Sequence, residues 1–367
     1  MHRERPNVLL VPDLALERWP SMDRYAAELA RHLPGLDVPP EARRLGGPRY
    51  LARYVRYPRA LRRYRPRLVH IADHSYAHCL AAFPGVPSVV TIHDLYPLHV
   101  LEQRSGGARA AGRDALLRRV MGWVRRADGW IAGSRFTAGE AVRLLGLPAE
   151  RIVTVGYGVD GAFAARPADA VLSQRREAWA RACGGPAQTA RVVLHVGSCE
   201  PRKDVETAIG ALARLRAGGL DAILVQIGGR FSAVQRWMIA EAGMERFLVQ
   251  EYRVTEEALV AAYHAADVLV MPSTYEGFGL PAIEAQAAGL PVVTTGAGGL
   301  ADAVGDVALL APEGNADAFA EALARVCTDG ATRSRLITAG RERAAGFTWD
   351  AVAHRTAEVY AELVKAS

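Results

Sequence analysis

Short apolar runs alternate with amphipathic stretches along the whole sequence, and this alternation is the first guide to the fold. The runs have the length of buried strands, and the stretches between them repeat apolar positions with the period of a helix. In the first half the pattern predicts a helix that begins after Ser134, a helix at 22–32 capped by Ser21, a helix at 115–126, and strands at 8–11, 68–71, 88–92, 129–132 and 151–155. Continuous apolar strands separated by helices are typical of a parallel sheet covered on both faces.

A stretch with turn-forming residues at both ends, 156–189, interrupts the alternation, which then starts again. Beyond it the pattern predicts strands at 191–197, 222–227, 247–249, 267–272 and 291–295, and helices at 205–216, 256–265, 281–288, 317–326 and 349–364. We therefore expect an α/β protein made of two successive doubly wound parallel-sheet domains. Ligands are expected beyond the carboxyl ends of the strands.

The composition is that of a globular protein. Half of the 367 residues are hydrophobic and 23% are charged. No apolar run approaches the roughly 18 residues that a membrane span needs, and the first residues lack the pattern of a signal peptide. The four cysteines are far apart in sequence and form no CxxC pair, as expected of reduced thiols. We expect a cytoplasmic protein.

The N-terminal half is strongly basic between residues 43 and 67. The net charge of the whole chain is only +6, but the positive charge is concentrated in this segment. Its arginines are Arg43, Arg44, Arg49, Arg53, Arg56, Arg59, Arg62, Arg63, Arg65 and Arg67. Such a run either solvates a helix face or attracts an anionic partner, such as an anionic membrane surface or a charged acceptor. Four tyrosines lie between these arginines: Tyr50, Tyr54, Tyr57 and Tyr64. Their helical spacing favours a packed helix face over stacking on RNA bases. We therefore expect no nucleic-acid partner.

The segment 272–285, PSTYEGFGLPAIEA, carries the strongest chemical signal. A buried strand ends at Met271, a loop with two glycines follows, and a helix opens near Pro281, which suits a first helical position. Glycines let a ligand approach the backbone, and the amides of a helix start favour phosphate. Glu276 in the loop and Glu284 inside the helix offer carboxylates to vicinal hydroxyls, as in ribose binding. The two glutamates alone would equally suit a solvated loop and helix.

A second predicted strand end carries positive charge. Residues 197–204, GSCEPRKD, follow the first strand of the second domain and precede a helix. Arg202 can form a fork with a diphosphate, and Lys203 can meet it as a point charge. Lys203 and Lys365 are the only lysines among 45 basic residues, so an ammonium group at Lys203 is either required or present by chance.

Together these stretches resemble the retaining glycosyltransferases of family 4, which have the GT-B fold of two Rossmann-like domains facing a central cleft. The resemblance is strongest between residues 192 and 311. It implies that Glu276 faces the donor sugar and Glu284 the ribose, and that the basic pair Arg202 and Lys203 neutralises the donor diphosphate. It also implies a donor site made of backbone amides and a base-contacting loop, at Gly197, Gly277, Phe278, Gly279, Leu280, Arg253 and Val254.

The same resemblance assigns roles to the two domains. It implies an acceptor-side domain at residues 1–165, completed by a C-terminal helix at 350–367, and a donor-binding domain at 166–349. His93, in the strand-end motif TIHDL, would point towards the transferred sugar or else serve a structural role. The loop 16–22 departs from the family because it is bulky where a pair of glycines is usual, and Asp302 stands where glutamate is common.

The function that the resemblance implies is retaining transfer of a hexosyl unit from a nucleotide-diphosphate sugar, either UDP- or GDP-linked, by front-face attack. The leaving diphosphate helps to accept the acceptor's proton, so the enzyme contributes charge stabilisation and positioning. We expect no metal ion and no other cofactor, and the sequence does not specify the acceptor. Two alternatives stay open: a sugar-nucleotide epimerase of the same fold, which would change the sugar without an acceptor, and a non-catalytic sugar-nucleotide binder.

Overall fold

The computed structural model of the protein describes residues 7–17, 19–103, 111–184 and 190–366. The chain divides into two compact units, Met1–Gly158 with Thr348–Ser367, and Val159–Phe347. Each unit contains a six-stranded sheet whose paired strands are all parallel, and helices connect the strands. This arrangement confirms the predicted α/β class with two doubly wound sheets.

The sheet of the first unit has the strand order β2-β1-β3-β4-β5-β6. Its strands are β1 (Val8–Val11), β2 (Leu36–Asp37), β3 (Leu68–Ile71), β4 (Ser88–Ile92), β5 (Gly129–Ala132) and β6 (Ile152–Thr154). Its helices up to this point are α1 (Pro20–His32), α2 (Glu41–Arg44), α3 (Arg49–Leu51), α4 (Tyr57–Leu61), α5 (Tyr96–Gln103), α6 (Ala111–Val124) and α7 (Arg135–Leu145). The inner strands are buried along their whole length, which is why they read as continuous apolar runs.

The sheet of the second unit has the order β12-β11-β10-β7-β8-β9. Its strands are β7 (Arg191–Gly197), β8 (Ala222–Gly228), β9 (Leu248–Glu251), β10 (Val268–Met271), β11 (Val292–Thr294) and β12 (Leu309–Leu310). Its helices are α8 (Gly161–Ala164), α9 (Asp169–Ala182), α10 (Val205–Ala217), α11 (Ala233–Glu241), α12 (Glu256–Ala265), α13 (Leu280–Ala288), α14 (Leu300–Val304), α15 (Ala316–Thr328) and α16 (Gly330–Ala344).

The last helix, α17 (Trp349–Ala366), belongs to the first unit. Two histidines of that unit hold it there. His32 Nδ1 lies 2.8 Å from Asp350 Oδ1, and the buried His70 Nδ1 lies 2.6 Å from the Tyr360 hydroxyl. No helix among the described residues is long and apolar enough to cross a membrane.

Each sheet has one point at which the chain changes direction across it. In the first unit the chain runs from β1 outwards to β2, and then returns to add β3 on the other side of β1. In the second unit it runs from β7 through β8 to β9, and then adds β10 on the other side of β7. Loops that leave two such neighbouring strands diverge, so a crevice forms at their carboxyl ends, where α/β proteins bind ligands.

Several predicted details are wrong. Helix α1 begins at Pro20 and not at residue 22, and Ser21 does not cap it. Trp19 is the N-cap residue, and no side chain in the described part of the chain bonds to the helix start. A proline in the first turn needs no amide acceptor, so the helix can begin without the serine. Helix α6 ends at Val124, two residues before the predicted end. The packed tyrosine face holds at Tyr57, which is fully buried, but Tyr50 is 71% exposed.

Candidate active site

The second unit brings the two predicted motifs together at its switch point. Strand β7 leads into a loop and a short 3-10 helix, Pro201–Lys203, while β10 leads into the loop that ends at α13. The backbone amide of Thr274 donates a 2.8 Å hydrogen bond to the carbonyl of Arg202, which ties the two loops to each other. Residues 72 positions apart in sequence therefore become neighbours at the crevice that the topology predicts.

A buried ion pair lies at the centre of this site. Lys203 Nζ is 2.5 Å from Glu276 Oε1, and Arg202 Nη1 is 3.7 Å from Glu276 Oε2. Ser273 Oγ donates a further hydrogen bond of 2.9 Å to Oε1. Burial alone would raise the pKa of Glu276, but Lys203, Arg202 and Ser273 together lower it below its ordinary value. The glutamate is thus ionised, and it holds both cations in place.

His195 is a member of this site that the sequence analysis did not single out. It lies in β7, is 1% exposed, and its Nδ1 has no hydrogen-bond partner among the described residues. Burial and the charge of Lys203 lower its pKa to about 4, so the imidazole is neutral at neutral pH. In the sequence, His195 is only a histidine inside an otherwise apolar strand, and such a histidine cannot be told from an ordinary core residue.

Glu284 is fixed by a partner that the sequence analysis also missed. The Tyr263 hydroxyl, from α12, donates a 2.8 Å hydrogen bond to Glu284 Oε2, and both side chains are buried. The ring of Tyr263 packs edge-on against Phe163 at 5.6 Å between centroids, so the hydroxyl is held in position. Glu284 therefore presents a carboxylate of fixed orientation one turn inside α13.

The glycine loop has a shape that other residues would disturb. Gly279 has φ 110°, and a Cβ atom there would lie 2.6 Å from Leu300 Cδ2. The amide of Gly299 donates a 2.7 Å hydrogen bond to the carbonyl of Glu276, and a Cβ on Gly299 would lie 2.2 Å from the carbonyl oxygen of Gly277. This part of the loop is therefore clamped against the start of α14.

Helix α13 begins at Leu280, and no side chain among the described residues caps it. Its amino end carries a partial positive charge that favours an anion. Phe278 is 6% exposed, and its ring packs against Phe347 at 5.8 Å between centroids. Gly197, at the end of β7, adjoins the other side of the site, because a Cβ there would lie 3.6 Å from Lys203 Cε.

Arg253 and Val254 lie farther out along the same sheet edge. They follow β9, which is three strand spacings from β10, or roughly 14 Å. Arg253 is exposed with φ 57°, and its guanidinium is 5.1 Å from the ring centroid of Tyr252, which also has Arg230 at 5.0 Å. No described contact joins this group to the Lys203–Glu276 pair.

His93 lies in the first unit, directly after β4, with both ring nitrogens engaged. Its Nε2 is 2.7 Å from the carbonyl of Ala72, which can only accept, so Nε2 donates and Nδ1 accepts from the Tyr157 hydroxyl at 2.5 Å. Burial lowers the pKa of His93, against the opposing charge of Asp73. The imidazole is a neutral, buried group held by its own unit.

Known proteins resemble the chain in both halves. The family model of "Glycosyltransferase Family 4" matches residues 13–163, and that of "Glycosyl transferases group 1" matches residues 180–343. A glycogen synthase of Mycobacterium tuberculosis is 35% identical over 314 residues, which cover 82% of this chain and 69% of that protein. The chain belongs to glycosyltransferase family 4. It is a nucleotide-sugar-dependent glycosyltransferase.

This glycosyltransferase also resembles another sequence relative and two proteins of known structure. A D-inositol 3-phosphate glycosyltransferase from Salinispora arenicola is 33% identical over 303 residues, covering 77% of this chain and 65% of the relative. The sucrose-phosphate synthase of Thermosynechococcus elongatus has a TM-score of 0.76 at 23% identity, with 99% of this chain and 100% of that chain covered. HepE from Anabaena, solved in complex with UDP-glucose, has a TM-score of 0.73 at 19% identity and covers 97% and 99%. The solved structures confirm the GT-B fold.

Proposed function

We propose that this enzyme transfers a hexosyl unit from a UDP- or GDP-sugar to an acceptor hydroxyl, with retention of the anomeric configuration. The observation that supports the proposal is the buried cluster of Arg202, Lys203 and Glu276 at the switch point of the second unit. It combines two cations with an uncapped helix start, a set of groups that suits a diphosphate. The second unit is thus the proposed donor-binding domain.

In this proposal the site acts on the leaving group. As the sugar–phosphate bond breaks, negative charge grows on the diphosphate, and Lys203 and Arg202 stabilise it because Glu276 already holds them in position. The Glu276 carboxylate remains beside the sugar, and the fixed Glu284 accepts hydrogen bonds from the ribose. The diphosphate assists removal of the acceptor's proton, and no metal ion takes part.

A UDP donor has support from HepE, a protein of the same fold that was solved in complex with UDP-glucose. The test is to incubate the enzyme with UDP-, GDP- and ADP-glucose, with and without candidate acceptors, and to follow the products by proton NMR. We expect an α-linked product from an α-linked donor, and unchanged rates in EDTA. A β-linked product would refute retention, whereas loss of activity in EDTA would refute metal independence.

The same spectra separate the alternatives. An epimerase would convert the donor sugar in the absence of any acceptor. A non-catalytic binder would shift the melting temperature with a nucleotide sugar, because ligand binding stabilises the folded state, yet it would form no product. Acceptor-dependent release of nucleoside diphosphate is the outcome that we expect.

We further propose a peripheral contact between the basic segment 43–67 and an anionic membrane surface. The structure engages part of the segment, because Arg53 is buried beside Glu17 and Arg63 pairs with Glu41. Tyr50 and Leu51 of the same segment are 71% and 46% exposed, and the arginines Arg43, Arg44, Arg59 and Arg62 are exposed as well. An exposed aromatic and an apolar side chain within a basic surface suit the interface of a bilayer.

Vesicle co-sedimentation tests the membrane contact. Each basic residue near an anionic surface contributes about 1 kcal/mol, and the attraction fades beyond a Debye length. We therefore expect binding to phosphatidylserine vesicles at low salt, release at high salt, and weaker binding by Arg59→Glu,Arg62→Glu. Equal and negligible sedimentation with anionic and neutral vesicles would refute the contact.

A further inference from the structure

A row of polar side chains crosses three strands of the second sheet next to the loop 197–200. Gln226 lies in β8 and is fully buried, although the rest of that strand is apolar. In the register of the sheet it is paired with His195 of β7 on one side and with Gln250 of β9 on the other. Paired residues of parallel strands lie on the same face of a sheet, so the three side chains form one row.

Gln226 uses both ends of its side-chain amide. Its Oε1 accepts a 3.0 Å hydrogen bond from Gln250 Nε2, and its Nε2 donates a 2.8 Å hydrogen bond to the carbonyl of Gly197. An apolar side chain would fill the same place in the strand without the cost of burying an amide. What the glutamine adds is a fixed direction for the Gly197 carbonyl.

A second buried glutamine holds the same loop two residues further on. Gln235 of α11 is 1% exposed, and its Nε2 donates to the carbonyl of Cys199 at 3.2 Å and to Glu206 Oε1 at 3.1 Å. Its Oε1 accepts a 2.8 Å hydrogen bond from the amide of Ser232, so this side-chain amide also has one orientation. The carbonyls at positions 197 and 199 are thus both directed towards β8 and α11.

Close backbone contacts keep the loop in this position. A Cβ on Gly228, the last residue of β8, would lie 2.8 Å from the carbonyl oxygen of Gly197. A Cβ on Gly229 would lie 2.3 Å from the amide nitrogen of Cys199. The backbone of the loop therefore lies directly against the end of β8, where only glycines leave room for it.

Peptide geometry determines where the amides of the loop point. In a planar trans peptide the carbonyl of one residue and the amide of the next point in opposite directions. Because the carbonyls of Gly197 and Cys199 point towards β8 and α11, the amides of Ser198 and Glu200 point away from them. The strand on the other side of β7 is β10. The two amides are therefore turned towards the side of the crevice between β7 and β10.

Two buried polar atoms next to this loop lack a hydrogen-bond partner within the described part of the chain. They are Ser198 Oγ and His195 Nδ1. The intervening Gly197 adjoins the cationic site, because a Cβ there would lie 3.6 Å from Lys203 Cε and 3.7 Å from His195 Cε1. Buried polar atoms are nearly always paired, so unpaired ones beside a cation indicate a missing ligand. A diphosphate has oxygens enough for a lysine, a hydroxyl and backbone amides together.

We propose that Gln226 and Gln235 are positioning residues of the donor site. They hold two carbonyls of the loop 197–200 and thereby direct the amides at positions 198 and 200 towards the donor diphosphate. Neither glutamine touches the ligand, since each acts through the backbone that it holds. The proposal rests on the proposed function, because it assigns the supports of the same diphosphate site.

The test is calorimetric titration of the enzyme with UDP, GDP and ADP. Gln226→Leu removes the donor to the Gly197 carbonyl, and Gln174→Leu makes the same exchange at an exposed residue of α9 as a matched control. For the diphosphate that binds the wild type best, we expect an unchanged Kd in the control and a Kd raised about tenfold or more in Gln226→Leu, the cost of weakened hydrogen bonds to a charged group. The matching nucleoside, followed by ligand-detected NMR, should bind all three proteins equally.

Gln235→Met tests the second support of the loop. It removes the hydrogen bond to the carbonyl of Cys199 but also opens the cap of α11, so Ser232→Ala, which opens the cap alone, is its control. We expect Gln235→Met to weaken diphosphate binding several-fold and Ser232→Ala to leave it unchanged. Equal weakening by both variants would assign the effect to the helix and remove Gln235 from the proposal.

Two results would overturn the role of Gln226. One is diphosphate binding by Gln226→Leu that equals the wild type, and the other is equal loss of diphosphate and nucleoside, which would show that the whole site is damaged. If Gln226→Leu does not fold, Gln226→Met, with an unbranched side chain, takes its place in the same titrations. Failure of the proposed function is distinct, because then none of the three diphosphates binds the wild type.

Discussion

At the residue scale, the Lys203–Glu276 ion pair contributes to the stability of the fold and lies at the centre of the proposed active site. Both residues are buried, with side chains that are 10% and 7% exposed, so each loses most of the solvation of its charge on folding. Their attraction, with Arg202 and Ser273 as additional partners of the glutamate, offsets that loss. Removing one partner leaves the other buried and uncompensated, which typically costs about 3–5 kcal/mol.

We predict that Lys203→Ala lowers turnover about 100-fold or more, because the diphosphate loses a donor as its charge develops. The same change should reduce the free energy of unfolding, since Glu276 loses its counter-charge. Adding Glu276→Gln should restore much of the stability but not the turnover. Initial rates and urea unfolding measure the two effects, with Lys365→Ala, the other lysine, as control. Turnover near wild type in Lys203→Ala would remove Lys203 from the diphosphate site.

Glu284→Ala should weaken binding of the nucleoside diphosphate about tenfold or more, the cost of losing a hydrogen bond to a charged group. Tyr263→Phe should have a smaller effect in the same direction, because the carboxylate stays but loses the hydroxyl that orients it. Calorimetry on the two variants checks both. If Glu284→Ala binds as tightly as the wild type, the ribose assignment is wrong.

His195 should make the protein less stable in acid. Its folded pKa of about 4 lies below the ordinary 6.5, so between these values the unfolded chain binds more protons and stability falls as the pH falls. His195→Gln removes this term, and its free energy of unfolding should depend on pH less steeply, by up to about 1.4 kcal/mol per pH unit. Urea unfolding from pH 7 to pH 4 measures the slopes. Parallel slopes would show that His195 does not titrate in this range.

At the scale of elements, the contact between the glycine loop and α14 fixes the shape of the loop at the proposed donor site. We predict that Gly299→Ala impairs donor binding, since its new Cβ would meet the backbone of Gly277 at 2.2 Å and the loop must move. Gly330→Ala is the control, because a Cβ there meets nothing within 4 Å. Titration with nucleoside diphosphate compares the two variants. Unimpaired binding by Gly299→Ala would show that the loop adapts without effect on the site.

The sequence predicted the longer elements because their patterns are long enough to read. The helix Glu256–Ala265 and the strand Ser88–Ile92 have the predicted bounds, and Ser134 caps α7 as expected. The missed strands β2 and β12 have two residues each, too few to show a period, and α16 has many charged residues and little apolar periodicity. The local sequence pattern therefore predicted the inner strands of each sheet but not the two-residue strands at the sheet edges.

At the scale of the whole molecule, the two parallel sheets differ in strand order, but each has a switch point with polar residues beside it. The sequence showed that Lys203 and Glu276 follow strands, but strand order decides which loops become neighbours, and order is not a local property. For the same reason Ser273 and His195 were missed. The role of a buried polar residue depends on the partners that surround it in the tertiary structure, and the local sequence does not show these.

The claim that the donor diphosphate binds at the Lys203–Glu276 cluster is tested most directly by calorimetric titration of UDP, GDP and ADP. The samples are the wild type and the charge-neutral double variant Lys203→Ala,Glu276→Gln, which avoids a stranded buried charge. We predict that at least one nucleoside diphosphate binds the wild type at a single site and binds the folded double variant at least tenfold more weakly. Equal binding to both proteins, or no binding of any of the three, would contradict the account.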